Sequence, residues 1–232
     1  MNDDSQTALI PHRLYGRRKG KKLRAQQSAL IENLLPVLTL DVSRPIDDCA
    51  SLFPTPTDEV WLEVGFGGGE HLIAEAEAHP NHGFIGCEPF ENGVAKALAL
   101  AETRGVKNLR LYGGDAGHVI AALPPNALSG CYLLYPDPWP KRRHRKRRFL
   151  SDEMFASLGR VMKSGAELRF ATDIDDNGGW TLMRGLRAPD FTWKASCADD
   201  WRLPWAGWSS TRYETKALAA GRTPAYLTFV RK

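Results

Sequence analysis

The sequence predicts an α/β fold built on a parallel, doubly wound sheet. Short apolar runs alternate with helical ones from about residue 59 onward, the connections between them are short, and a glycine-rich turn stands where the first strand gives way to a helix. Strands are expected at 60–64, 83–87, 109–112, 130–135 and 167–171, a sixth at 191–194 and a last at 226–230. Helical spacing is expected over 70–79, 91–104, 150–162 and 175–186. Pro224 falls where the last strand should begin, which leaves its start open.

Ahead of this body, residues 26–40 carry Leu30, Leu34, Leu35 and Leu38 at helical spacing and are expected to dock as one helix. Residues 43–57, rich in Pro, Ser and Asp, read as a linker. The expected organisation is therefore a basic N-terminal arm with a docking helix (1–55) and an α/β domain (56–232).

With 232 residues and 43% apolar content the chain is long enough to bury a sizeable core. No apolar run approaches the length of a membrane span, and the polar, acidic residues 1–7 do not read as a signal peptide. Cys49, Cys87, Cys131 and Cys197 are scattered, with no CxxC pair and no histidine at ligand spacing. His71 belongs to the first helix and the other histidines share no spacing. Reduced thiols, a cytoplasmic location, no membrane and no metal are expected, in a monomer or a homodimer.

Charge is concentrated. Seven Lys/Arg and no acid lie between Arg13 and Arg24, and seven more between Lys141 and Arg148. Those twenty residues carry +14 against a whole-chain net charge of +4, so the remaining 212 are acidic by −10. Such a polarised chain suits a polyanion held at defined places. The plainer alternative, two solvated basic loops, leaves the self-repulsion of the second run unexplained.

Glu63-x-Gly65-x-Gly67-x-Gly69 sits at the strand-to-helix turn. Glycines there let the backbone approach a ligand, and dinucleotide enzymes use a similar turn. The GxGxG spacing differs from the GxGxxG fingerprint, and an acid precedes it. A carboxylate there repels a pyrophosphate and suits a ligand carrying an ammonium and a sulfonium, such as S-adenosylmethionine. Glu88 closes the second strand, where it can accept both ribose hydroxyls. Asp115 follows the third, where it can accept from an adenine amino group. Each acid alone can equally be a helix cap. Together with the turn they converge on one crevice.

The fourth strand runs into Tyr135-Pro136-Asp137-Pro138-Trp139-Pro140-Lys141 and then the basic run. Three prolines in five residues make a stiff loop. It holds Asp137, which can accept from guanine N1–H and N2–H₂, and Trp139, which can stack on a base. The cations beside it would grip phosphates. A proline-rich turn with an inward Trp accounts for Trp139 but not for the charge. Trp193, Trp201, Trp205 and Trp208 either rim the base entrance or cover the sheet edge. The N-terminal basic arm either clamps RNA or is a simple tail.

The segment from Glu63 to Leu72, the acid after the second strand, the 135–148 segment, Thr172-Asp173 and Thr211-Arg212-Tyr213-Glu214 together resemble the bacterial tRNA (guanine-N7) methyltransferases. The resemblance covers about residues 59–232, more weakly the arm. It implies a class I methyltransferase fold: a mostly parallel seven-stranded sheet with a final antiparallel strand. It also implies methyl transfer from S-adenosylmethionine to N7 of a guanine in the tRNA variable loop. By matching motif, Glu63, Gly65, Gly67, Glu88, Asp115 and Asp137 would meet the cofactor, with Asp137 as the catalytic residue. Lys141, Asp173, Thr211, Arg212, Tyr213 and Glu214 would meet the guanine. Arg143, His144, Arg145, Lys146, Arg147 and Arg148 would meet the RNA.

Guanine N7 offers a lone pair and no proton, so the site needs no nucleophile–base pair. Pyrimidine C5 methylation would need a Cys nucleophile, and Cys131 lies mid-strand. The competing readings are a methyltransferase acting on another RNA, a non-catalytic RNA-binding protein of the same fold, and a nicotinamide oxidoreductase, against which the acid before the glycines argues. Replacing Arg142, Arg143 and Arg145 with Ala is expected to raise the Michaelis constant for tRNA and flatten its salt dependence; an unchanged salt slope in steady-state assays would remove phosphate contact from this loop.

Overall fold

A computed structural model describes residues 15–55 and 57–232. The described residues form one sheet from β1 (Glu59–Val64), β2 (His82–Cys87), β3 (Leu109–Tyr112), β4 (Leu128–Leu134), β5 (Met162–Thr172), β6 (Phe191–Trp193) and β7 (Ala225–Arg231). Their spatial order is β3-β2-β1-β4-β5-β7-β6. β1 to β5 pair in parallel, and β7 runs antiparallel between β5 and β6. Structure and sequence agree on the mostly parallel sheet and the antiparallel last strand, which begins directly after Pro224.

The chain builds outward from β1 to β3, then crosses back to place β4 on β1's other side. Strand order reverses there, so the loops leaving β1 and β4 diverge and open a crevice at the carboxyl edge.

Helices α3 (Glu70–Ala78) and α4 (Glu91–Arg104) cover one face of the sheet. Helices α5 (Ala116–Ala122), α6 (Asp152–Val161) and α7 (Asp175–Arg187) cover the other. Val60, Leu62 and Val64 of β1 feed the core under α5 and α6, while Trp61, between the first two, packs toward the opposite face. Coverage of both faces explains why the parallel strands read as continuous apolar runs.

Local chemistry sets the helix ends. Ser151 caps α6 by accepting from Met154 N at 3.2 Å, and acids Asp152 and Glu153 occupy its positive first turn. Two short helices escape the periodicity of the sequence, α5 and α9 (Arg212–Ala219), capped by Asp115 and Thr211. Helix α8 (Asp199–Arg202) is a single turn.

Several expectations are corrected. The helix expected over 26–40 is two, α1 (Ala25–Asn33) and α2 (Leu35–Leu38), because Pro36 has no N–H to continue the ladder. Leu30 and Leu38 still dock in the α3/α4 core. Residues 43–57 are not a free linker: Ile46, Cys49 and Phe53 are buried against α5 and the sheet, and Ile46 N donates to Ala122 O at 2.8 Å. β5 starts at Met162 as soon as α6 ends, five residues before the expected start. Trp205 and Trp208 pack on Tyr132 and Tyr226, and Trp193 and Trp201 on the α5–α7 side, so the tryptophans cover both faces of the sheet edge.

Among the described residues no helix is long and apolar enough to cross a membrane. Phe229 of β7 is fully buried, edge-on to Phe155 at 5.6 Å, where α7 approaches so closely that a Cβ on Gly185 would lie 2.1 Å from its ring. Phe229→Ala is expected to cost about 3–5 kcal/mol in urea unfolding; a loss well under 1 kcal/mol would mean this edge is not part of the cooperative core.

Candidate active site

The crevice holds a cavity of about 400 Å³. Gly65 and Gly67 line it from the loop after β1, Glu88 and Phe90 from the loop after β2, and Asp115 from the loop after β3. Tyr135, Asp137 and Trp139 line it from the loop after β4, joined by Arg147, by Tyr213 of α9 and by Tyr15–Arg17 of the arm. Gly67 has φ 58°, a left-handed conformation that suits glycine. Helix α4 packs against this turn so closely that a Cβ on Gly93 would stand 2.2 Å from the Gly67 carbonyl oxygen. Gly93 carries no signal in a single sequence, since nothing before folding says which carbonyl it must face.

Glu88 is buried and cradled. Gly67 N donates to its Oε2 at 2.7 Å and Phe90 N to its Oε1 at 2.9 Å. Burial raises its pKa above the usual carboxylate value, with the charges of Asp137 and Glu63 adding to it, against the pull of the two backbone donors. Asp115 is buried at 3% exposure; it caps α5 through Gly117 N (2.9 Å) and lines the cavity. Asp137 is exposed at the lip, and Tyr135 and Trp139 on either side of it have φ 50° and 42°. Each bulky residue in that region costs on the order of 1–3 kcal/mol and persists only if its surroundings fix it.

Glu63 is not part of the cavity wall formed by the described residues. It points to the α3 face, where its Oε2 lies 2.8 Å from His71 Nδ1, with both side chains buried. His71 in turn packs on Tyr132 (4.6 Å) and Trp208 (5.0 Å).

The basic run forms a 3₁₀ turn, Arg142–Arg147. Lys141, Arg143 and Lys146 are exposed. His144 stands edge-on to Trp139 at 5.9 Å, and its pKa is lowered by desolvation and by the neighbouring cations Arg147, Arg143 and Lys141. Arg145 pairs with Asp176 at 2.6 Å. Arg147 lies 4.5 Å from the Tyr15 ring and 4.9 Å from the Trp139 ring, over the cavity mouth. Arg148 is buried at 3% exposure. Its guanidinium is engaged within the protein, where it can meet no phosphate in this conformation. The apolar Phe149-Leu150 that follows was the available signal for its burial.

Among residues expected at the guanine, Tyr213 alone lines the cavity. Thr211 caps α9 by accepting from Glu214 N (3.1 Å), and Arg212 is exposed. Glu214 is 3% exposed, with Trp208 Nε1 donating to it at 2.7 Å and the Tyr226 hydroxyl donating to its other oxygen. Asp173 pairs with Arg222 at 2.5 Å, and Lys141 precedes the basic turn.

A family model described as "Putative methyltransferase" matches residues 57–226. A tRNA (guanine-N(7)-)-methyltransferase of Rhodopseudomonas palustris (strain BisB5) is 53% identical over 99% of this chain and 90% of its own length. One from Chelativorans sp. (strain BNC1) is 52% identical over 94% of each. The chain belongs to the bacterial tRNA (guanine-N(7)-)-methyltransferase family. The 16S rRNA methyltransferase KamB shares the fold at TM-score 0.55 and 20% identity, over 76% of this chain and 89% of its own. A precorrin-6y C5,15-methyltransferase from Geobacter metallireducens GS-15 does so at TM-score 0.53 and 13% identity, over 92% and 94%.

For a methyltransferase of this family, Cys131 is excluded as a nucleophile by its place in the sheet: it is fully buried in mid-β4 and burial pushes its thiol far up.

The Glu63–His71 pair has a pH signature. Burial disfavours the imidazolium and Arg169 opposes it, but Glu63, with Glu75 beyond, outweighs both and raises the His71 pKa above its usual value. A raised folded-state pKa gives stability that is fully present below about pH 6.5 and fades as pH rises through the folded value. The stability gap between the native protein and His71→Gln is therefore expected to be widest on the acid side and to shrink toward alkaline pH in urea unfolding. A gap that widens with pH would mean His71 is neutral in the fold.

Proposed function

We propose that this chain transfers the methyl group of S-adenosylmethionine to N7 of a guanine in the variable loop of tRNA, with residues 56–232 as the catalytic domain, residues 25–55 docked on it, and the basic run at 17–24 facing the RNA. One observation carries the reading: Arg147 of the basic run and Asp137 of the proline-braced loop line the same cavity as the glycine turn.

The residues present suit the cofactor. The cavity has small-molecule size. A Cβ on Gly65 would meet nothing within 4 Å, leaving the backbone bare toward the open space. The donor set is also apt, since Glu88 can accept from ribose hydroxyls and Asp115 from an adenine amino group. Gly65 and Gly67 would face the methionine part, with Asp137 at the junction with the guanine. Glu63 would act from behind the turn, through the His71-held end of β1. When bound, the cofactor supplies a sulfonium-activated methyl group.

The chain's own share is placement. The N7 lone pair attacks without prior deprotonation, so Asp137 serves by accepting from the N1–H and N2–H₂ edge and turning N7 toward the donor. Proximity and orientation of this kind can supply up to about 7–11 kcal/mol. Tyr213 would wall the base on the α9 side. Asp173, Lys141, Thr211, Arg212 and Glu214 would complete the guanine site once the Asp173–Arg222 pair and the Glu214 network adjust to RNA. Arg143, His144, Arg145, Lys146 and Arg147 would meet the phosphates. The names of the relatives support tRNA as the partner, and tRNA is the substrate to be expected in a cytoplasmic enzyme.

Incubation with unmodified tRNA and methyl-labelled cofactor, followed by nucleoside analysis, is expected to place the label in 7-methylguanosine. Asp137→Ala should abolish transfer while the protein stays folded by circular dichroism. Near-normal rates for that variant would refute its role at the guanine.

A further inference from the structure

Arg148 ends the most cationic stretch of the chain, yet its side chain is 2% exposed. Its Nε–H donates to the Pro138 carbonyl at 2.8 Å. One terminal N–H donates to the Asp176 carbonyl at 3.1 Å, and the other terminal nitrogen pairs with Asp176 Oδ2. The guanidinium carbon lies over Trp180, 5.2 Å from its ring centre. Pro138 stands between Asp137 and Trp139, in the segment flanked by the two left-handed residues Tyr135 and Trp139.

A loop held in so unfavourable a backbone conformation needs an external tie. The prolines restrict φ but donate no hydrogen bond, and Pro138 can be gripped through its carbonyl. Arg148 is the side chain that grips it, with its own charge met by Asp176 in the first turn of α7. Arg145 shares the same carboxylate at 2.6 Å, so the outer cationic turn is tied to the same post.

We infer that Arg148 and Asp176 form a clasp that positions Asp137 and Trp139 at the cavity mouth, and that Arg148 is a positioning residue, not a phosphate contact. The inference deepens the proposed function and rests on Asp137 facing the guanine. It divides the basic run into exposed cations for RNA and one buried arginine for the loop. The geometry requires arginine: its planar fork serves Pro138 and Asp176 at once, which the single nitrogen of a lysine does not.

The test is steady-state kinetics on tRNA at several salt concentrations for the native protein, Arg148→Lys, Asp176→Asn, the double variant and Asp137→Ala, each checked for folding by thermal unfolding. Arg148→Lys and Asp176→Asn are expected to lower kcat by about tenfold or more, as for a displaced reactive group; KM for tRNA and the salt slope stay at native values in Arg148→Lys and are not weakened in Asp176→Asn, which only releases Arg145. The double variant is expected to be no worse than the poorer single one, because the two residues act as one unit. If Arg148→Lys does not fold, Asp176→Asn carries the test, since it removes the charge and keeps the backbone acceptor. Native kcat in folded variants, or a raised KM with a shallower salt slope, would overturn the clasp. Native rates in Asp137→Ala would sink the underlying reading and the clasp with it. An inactive Asp137→Ala beside a fully active Arg148→Lys would sink the clasp alone.

Discussion

The reversal of strand order between β1 and β4 is the constraint from which the rest of the molecule takes its form. Two adjacent parallel strands whose following chains leave in opposite directions cannot close the sheet edge between them. The cavity stands at that gap: the glycine turn on one side, the Asp137 loop on the other, and the carboxylates after β2 and β3 along one wall. Burial of the sheet on both faces makes the gap rigid, because neither β1 nor β4 can shift without disturbing the packed layers of helices.

Two interactions then turn a generic crevice into a specific one. Helix α4 approaches the glycine turn through Gly93, and Glu88 accepts from the Gly67 amide, so turn, helix and second acid hold one another. On the opposite lip, the Asp137 loop adopts a costly backbone conformation supported from outside by Arg148. Arg147, one residue earlier, faces the other way, between Tyr15 and Trp139 over the mouth. Neighbouring arginines thus point in opposite directions, one into the protein and one over the cavity mouth.

Much of the fold was legible because periodicity and punctuation are local properties. The strands at 60–64, 83–87 and 109–112 and the helices at 70–79 and 91–104 rest on apolar runs and turns that need no knowledge of the partner strand. What periodicity missed was short. Helices α5 and α9 have too few turns to reveal a stripe; Asp115 reads from sequence equally as a cap or as a ligand, and Thr211 enters only through the resemblance. Of the site, Gly65, Gly67, Glu88, Asp115 and Asp137 could be read from their places at strand ends, since the carboxyl edge of such a sheet is where a ligand binds. The inward turn of Glu63 onto His71, the burial of Glu214 by Trp208 and Tyr226, and the retreat of Arg148 all depend on side-chain pairings that neither periodicity nor a turn signal marks. Composition cannot distinguish the buried Arg148 from the exposed Lys141, Arg142, Arg143 and Lys146 beside it.

In the proposed function a single cavity receives the methyl donor on its glycine side and RNA on its cationic side. Amide hydrogen exchange with S-adenosylmethionine alone, and then with tRNA added, tests it most directly. Slowed exchange is expected around Gly65–Gly69, Glu88–Phe90 and Gly114–Ala116 on adding the cofactor, and further slowing across the loop from Asp137 to Arg147 only when tRNA is present. Protection by the cofactor that spares the glycine turn, or by tRNA that spares the arginine-dense loop, would contradict it.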